Sequence, residues 1–310
     1  MCDERLLESR VRGAYLGLAI GDALGSTVEF MTANEIKQTY KVHNQLRGGG
    51  WLRLPTGQVT DDTEMSLALG DSILENGAID SLSVAEYFSQ WLRSKPVDVG
   101  QTVRRGILHF RKTGDPVVEE STDAGNGACM RTLPVAIFTF TKTAEEIEHE
   151  SRRQTHVTHH NELSDAGCEA VIAIVHSAMH GNDKRSIING PVSALVKAYP
   201  VFAFNRREVT NPSGYIVDTL QAVFQAFSET NNFFDCLVNV VNRGGDADTT
   251  GAIAGMIAGS YYGAEAIPSQ WLDQLNQNIS RQCKKQAVAL LRLALARPAL
   301  KQVPLVTGVL

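Results

Sequence analysis

The sequence is short of several things, and each shortage excludes a class of protein. It has no basic excess: 29 Lys+Arg stand against 34 Asp+Glu, for a net charge of -5. No field of one sign is available to hold a nucleic-acid backbone, and the basic stretch SRRQTHVTHH is short and mixed. The cysteines (Cys2, Cys129, Cys168, Cys236, Cys283) are odd in number and scattered, without CxxC spacing. That argues against a disulfide framework and for a reducing compartment. The first ten residues, MCDERLLESR, are charged and do not read as a signal peptide. The longest uncharged helical stretch, Thr249 to Ala264, is too short and too Gly-rich for a membrane span. No transmembrane segment is therefore expected, and a soluble, cytoplasmic protein is. Strict two-residue alternation is almost absent, which removes most β architectures. No linker-like stretch divides the 310 residues, so a single domain over 1–310 is expected.

Helical periodicity is what the sequence does have. It predicts helices near Leu6–Leu24, Thr63–Glu75, Ser83–Leu92, Gly100–Arg111, Met130–Phe140 and Ala144–Arg153. Later ones are predicted near Leu163–Met179, Ile216–Phe227, Phe233–Val241, Asp248–Tyr262, Ser269–Gln277 and Ile279–Ala296. The fold class that follows is all-α, compact and many-helixed. Two of these helices carry glycine at every fourth position: Gly13, Gly17, Gly21, Gly25 and Gly251, Gly255, Gly259, Gly263. Residues four apart share one helix face, and an interior glycine costs about 1 kcal/mol relative to alanine. Close approach of a neighbouring helix would offset that cost. The two glycine faces are expected to pack in the core, against each other or against other helices, carrying Asp22, Glu29, Asp246 and Asp248 into one region.

Two turns concentrate oxygen ahead of helices. VTDDTEM holds Thr60, Asp61 and Asp62; NRGGDADTTG holds Asp246, Asp248 and Thr249. Carboxylates and hydroxyls are hard donors suited to Mg²⁺ or Mn²⁺. Plain helix N-capping is the competing explanation, since Thr and Asp are favoured cap residues. If the turns meet, four negative charges in a dry pocket require cations.

Weaker signals lie between them. Gly125, Asn126 and Gly127 precede a helix expected from about Ala128, which would suit either a phosphate at the helix start or an ordinary turn. His156, His159 and His160 admit three readings: a zinc site, surface histidines, or one imidazole donating to a phosphate or sugar.

Taken together and in order, GAYLGLAIGDALGSTVEF, TDDTEM, DVGQTVRRG, GNGACMRTLPVAI, GYIVDTLQA and NRGGDADTTGAIAGMIAGSYYG resemble the ADP-ribosylglycohydrolase family, over about residues 10–263. The resemblance implies an all-helical fold with a dinuclear metal cleft. By matching motif it implies Thr60, Asp61, Asp62, Asp246, Asp248 and Thr249 as ligands of two divalent cations, Mn²⁺ foremost and Mg²⁺ second. Glu29 and Asp98 match acidic positions of the cleft, with Asp98 the expected catalytic group and Glu29 the runner-up. Asn126, Gly127, Met130, His159 and Tyr215 match positions that bind ADP-ribose. The doubled His159–His160 leaves open which imidazole takes that role.

The implied reaction is hydrolysis of the N-glycosidic bond between ADP-ribose and an arginine side chain. The family's nitrogenase-related branch implies dinitrogenase reductase as the substrate. It also implies a nitrogen-signalling regulatory protein and regulated membrane association through a partner. Two other readings use the same oxygen set: a metal-dependent nucleotide phosphoesterase, and a catalytically silent ADP-ribose-binding relative.

Overall fold

The computed structural model describes residues 4–296. Within them the chain is helical, with only isolated bridges at Thr32–Gly244, Gly49–Leu54 and Gly125–Tyr215. In order the helices are α1 (Glu4–Gly25), α2 (Ala33–Tyr40), α3 (Asp61–Asn76), α4 (Ser81–Arg93) and α5 (Gln101–Thr113). Then come α6 (Leu133–Phe138), α7 (Ala144–Thr155), α8 (Glu162–Met179), α9 (Lys184–Ile187) and α10 (Ser193–Ala198). The last five are α11 (Ile216–Glu229), α12 (Phe233–Val241), α13 (Ala247–Tyr262), α14 (Ser269–Gln274) and α15 (Gln277–Ala296). None is long and apolar enough to cross a membrane.

The axis of the fold is the antiparallel pair α1–α13. A Cβ placed on Gly17 would lie 2.1 Å from the carbonyl oxygen of Gly255, and one on Gly21 would lie 1.9 Å from that of Gly251. Reciprocally, a Cβ on Gly255 or Gly259 would lie 2.0 Å from the oxygen of Gly17 or Gly13. The absent side chains are the space into which each backbone enters, so the expected packing of the two faces against each other is found. Glycine stops facing glycine at both ends of the pair: Gly25 faces Ala247, and Gly263, at φ 82°, closes α13 beside Ser9.

Around this pair the other helices bury a continuous apolar core that includes Tyr15, Phe88, Phe138, Phe224, Phe233 and Trp271. One polar bridge crosses it. Tyr15 donates to Gln286 Oε1 at 2.5 Å, while Gln286 Nε2 donates to Leu67 O at 2.9 Å and Asp71 Oδ1 at 2.7 Å, tying α1, α3 and α15. Cys129, Cys168, Cys236 and Cys283 are free and buried; Cys2 lies outside the described residues.

Three expectations need correction. α2 was not among the expected helices; it is too short for periodicity and is fixed by a capping box between Thr32 and Glu35. Nor was the Lys184–Ala198 stretch, where Gly190 and Pro191 break the pattern inside a π-helical segment. The helix expected from Met130, or from Ala128, begins at Leu133, with Pro134 in its first turn. Residues 126–131 form a hydrogen-bonded turn instead, with Met130 N donating to Asn126 O at 3.0 Å.

Candidate functional site

The antiparallel seam decides where chemistry gathers, because it sets the C-terminal end of α1 beside the N-terminus of α13. A cleft of about 780 Å³ opens there. Glu29, Asp61, Asp98, Asp246, Asp248 and Thr249 all line it. Carboxylate oxygens of Glu29, Asp246 and Asp248 lie within 4.8 Å of one another, a group that could hold a metal ion.

Local sequence explains both turns. In NRGGDADTTG, Gly244 and Gly245 adopt φ of 74° and 67°, open to glycine and costly for other residues. A Cβ on Gly244 would lie 2.3 Å from Met31 O, and one on Gly245 2.1 Å from Pro212 O. The turn thereby staples two loops to the start of α13: Phe30 N donates to Gly245 O at 2.8 Å, and Asp246 N to Pro212 O at 2.8 Å. In VTDDTEM the organising residue is a third acid from another helix. Asp22 accepts from Thr60 N and Oγ1, both at 2.9 Å, and from Thr63 N at 3.1 Å and Oγ1 at 2.5 Å. Asp22 thus does from α1 what a capping side chain would do for α3. Neither Thr60 nor Asp246, at the cap positions of α3 and α13, makes a side-chain cap bond. Capping therefore leaves the oxygen-rich turns unexplained.

The electrostatic cost of the arrangement is high. Burial, then mutual repulsion, pushes the carboxyls of Asp61, Asp62 and Asp248 well above the usual carboxylate range. Burial lifts Asp22 to about 7 against four hydrogen bonds that oppose it. Burial and nearby acids lift Glu29 to about 8 against the Trp51 hydrogen bond. Among the described residues no lysine or arginine forms an ion pair with these groups. Asp62 Oδ1 is buried with no hydrogen-bond partner at all. Buried carboxylates without counter-charge are costly, and an all-oxygen donor set with an orphaned carboxylate oxygen fits a hard divalent cation.

The sequence pattern of the family described as ADP-ribosylglycohydrolase matches residues 3–301. The chain belongs to the ADP-ribosylglycohydrolase family. It is 47% identical over 289 residues to the ADP-ribosyl-[dinitrogen reductase] glycohydrolase of Rhodospirillum rubrum, covering 93% of this chain and 97% of that protein. It is 34% identical over 283 residues to the ADP-ribosylarginine hydrolase Tri1 of Serratia proteamaculans, covering 86% of this chain and 75% of that one. A solved structure titled ADP-ribosylglycohydrolase-related protein complex superposes with a TM-score of 0.84 at 32% identity, over 94% of this chain and 99% of that one.

The structure distributes the residues singled out by the family resemblance as follows. Asp98 lines the cleft, its Oδ1 accepting from Val99 N at 2.7 Å, and burial raises its carboxyl. Asp61 accepts from Gly100 N at 3.2 Å, which ties α3 to the loop carrying Asp98. Asn126 donates to Asp246 Oδ2 at 2.6 Å and Thr219 Oγ1 at 2.9 Å. Gly127 and Met130 line the same wall. Thr60 and Asp62 are buried and do not line the cleft. Asp62 Oδ2 is nonetheless 3.5 Å from Thr249 Oγ1, so the two acidic turns meet. Tyr215 also lies outside the lining; it is 38% exposed, and its backbone bridges Gly125.

The doubled histidine separates cleanly. His159 lines the cleft, and its ring fills the space that a Cβ on Gly125 or Gly127 would need. Burial pushes its pKa down to about 3. His160 turns away and donates from Nδ1 to Val118 O, while His156 pairs with Asp165 at 2.9 Å and stacks on His160 with centroids 3.8 Å apart. Three imidazoles so engaged do not converge on a zinc ion.

Several functional neighbours escaped sequence reasoning. Asp22 was expected only to lie nearby. Trp51 donates to Glu29 Oε2 at 2.7 Å and packs against Phe30 at 5.4 Å between centroids. Arg131, fully buried under the Phe88 ring at 4.5 Å, donates to Gly127 O, Gln154 and Thr158 Oγ1 and braces the turn against the His159 segment. The loop RGGGWLRLPTG (47–57) does read as Gly-rich and suited to a site, but nothing in it singles out Trp51.

Proposed function

We propose that this protein hydrolyses the N-glycosidic bond joining ADP-ribose to an arginine side chain, with ADP-ribosylated dinitrogenase reductase as its substrate. The observation that carries the reading is the meeting of two acidic turns, 187 residues apart, in one cleft beside a neutral histidine and a Gly-Asn-Gly turn. Similarity to relatives named for this chemistry supports it. The chain would act as a single cytoplasmic domain. A nitrogen-signalling partner would control it by drawing it to the membrane.

Thr60, Asp61, Asp62, Asp246, Asp248 and Thr249 would hold two divalent cations, Mn²⁺ before Mg²⁺. Cations held there would offset the charge of the cluster and would supply Lewis acidity toward a sugar hydroxyl or a water. Thr60 donates its hydroxyl proton to Asp22 and keeps oxygen lone pairs free. Asp98 is assigned the acid–base role. One of its oxygens is pinned by Val99 N while the other is available to a water, and burial raises its affinity for a proton. Glu29 is the alternative base, held by Trp51. Thr158 Oγ1 accepts from Arg131 and can give its own proton to His159 Nδ1, so that Nε2–H faces Gly125 and Gly127. A neutral imidazole there donates to an anionic oxygen without desolvating a charge. Asn126, Gly127 and Met130 supply the wall against which ADP-ribose lies, and Tyr215, exposed and bridged to Gly125, would meet the substrate only outside the cleft.

Mass spectrometry of ADP-ribosylated dinitrogenase reductase, incubated with the protein with and without Mn²⁺, tests this. Loss of the modification with release of ADP-ribose, only with the cation, is expected. Release of AMP would overturn the reading in favour of a phosphoesterase, and no turnover on any acceptor would favour a silent binding protein.

A further inference from the structure

A second hollow, of about 420 Å³, adjoins the cleft at Glu29, Phe30 and Trp51, which line both. Thr27, Glu35 and Tyr40 help to complete it. Its composition differs from that of the main cleft: three aromatic rings and two carboxylates that come from outside the two Thr-Asp turns. Phe30 and Trp51 are 66% and 53% exposed, unusual for rings this large and packed together, so they offer faces to a ligand. Phe30 holds this position at φ 62°, a conformation uncommon for a bulky residue. At the floor, Thr27 is 1% exposed and its Oγ1 has no hydrogen-bond partner. A buried hydroxyl left unsatisfied at a cavity wall points to a donor supplied by a ligand.

We propose that this hollow receives the acceptor side of the substrate: the modified arginine and the chain flanking it, with ADP-ribose in the main cleft. The inference rests on the functional reading above. Rings, carboxylates and an unpaired hydroxyl acceptor are what a planar cationic guanidinium seeks, since it stacks on aromatic faces while donating in its own plane. The carboxylate of Glu35, kept ionised by its hydrogen bonds from Thr32, matches its charge, and Glu29 offers an oxygen acceptor beside it. Phe30 and Trp51 stand where the two cavities join, so an arginine leaving the reacting bond near Glu29 passes along them.

Kinetics on ADP-ribosylated dinitrogenase reductase, paired with inhibition by free ADP-ribose, tests the assignment. Tyr40, like Thr27, lines the hollow and not the main cleft. Tyr40→Ala should raise KM about tenfold and Thr27→Val about threefold, in line with the loss of a cation–ring contact and of a hydrogen bond. kcat and the ADP-ribose inhibition constant should each stay within about twofold of wild type, and Tyr40→Phe should restore KM. An unchanged KM, or an ADP-ribose inhibition constant that rises in parallel, would overturn the proposal. Should Tyr40→Ala fail to fold, the wild-type protein still decides. Agmatine, a guanidinium without ADP-ribose, should compete with the protein substrate and leave bound ADP-ribose in place; no competition overturns the inference. Wild-type protein that releases no ADP-ribose from arginine would sink the functional reading itself, a result distinct from active wild type with insensitive variants.

Discussion

The α1–α13 seam and the cleft at its end are built by the same two helices on opposite principles. Along the seam, backbone meets backbone, and a Cβ added at Gly17, Gly21, Gly255 or Gly259 would lie within 2.1 Å of a partner carbonyl oxygen. At the end, carboxylates crowd together, one oxygen of Asp62 is orphaned, and open volume remains. The seam spends helix propensity to gain contact; the cleft spends stability to gain reactive groups. Close packing can support such a strained site because the strain is confined to one end of a rigid pair.

The contrast breaks most visibly at the seam. Gly255→Leu should leave no folded protein, since a new side chain against Gly17 O costs beyond the ~4–5 kcal/mol of exceptional single mutations, a large share of a typical domain's stability. Soluble yield and thermal melting check this, and a variant that melts like wild type would mean the helices can part. In the cleft the large effect should fall on rate instead. Asp98→Asn is expected to lower kcat by at least ~10²-fold with its melting temperature and ADP-ribose affinity retained.

The third test reverses a sign. Removing a carboxylate should stabilise the cation-free protein: Asp62→Asn is expected to raise its stability by about 1 kcal/mol. The same change should shrink the roughly 2.7 kcal/mol gain that a cation at 100 times its Kd gives wild type. Calorimetry with chelator and with Mn²⁺ measures both, and destabilisation of the cation-free variant would show that the acids hold the fold together.

The smallest effect at neutral pH comes from a buried imidazole away from the cleft. Burial pushes His176 from the ordinary 6.5 to about 4, while Ala136 O accepts its Nε2–H. Below 6.5 the unfolded chain takes up a proton that the folded one refuses until about 4. The stability that this group confers is thus present above pH 6.5 and lost as pH falls toward 4. His176→Gln should flatten that part of the pH–stability curve and leave the value at pH 7.5 little changed relative to pH 7, as urea titrations would show.

Much of this was legible in the residue order. The long helices follow from apolar periodicity, and the two glycine faces announced an intimate helix pair. α2 and the Lys184–Ala198 stretch were not legible, because a capping box or a Gly–Pro break is weaker than a long periodic run. The helix was expected to start at about Ala128, five residues before Leu133, because Ala128 and Met130 suit a helix. The actual shape of the 126–131 turn is set by Asn126 bonding to Asp246 and by Arg131 beneath it, contacts 120 and 27 residues away along the chain.

The sequence by itself determined the all-helical class, the four-residue glycine spacing and the two Thr-Asp turns, because each rests on neighbours within a helical turn. Only the tertiary structure decided that Asp22 serves as the buried acceptor under Thr60 and Thr63, that His159 rather than His160 enters the cleft, and that Trp51 holds Glu29. Those outcomes depend on which carboxylate or ring the antiparallel packing of α1 and α13 carries inward. Sequence spacing does not encode the rotation and register of one helix against another more than two hundred residues away.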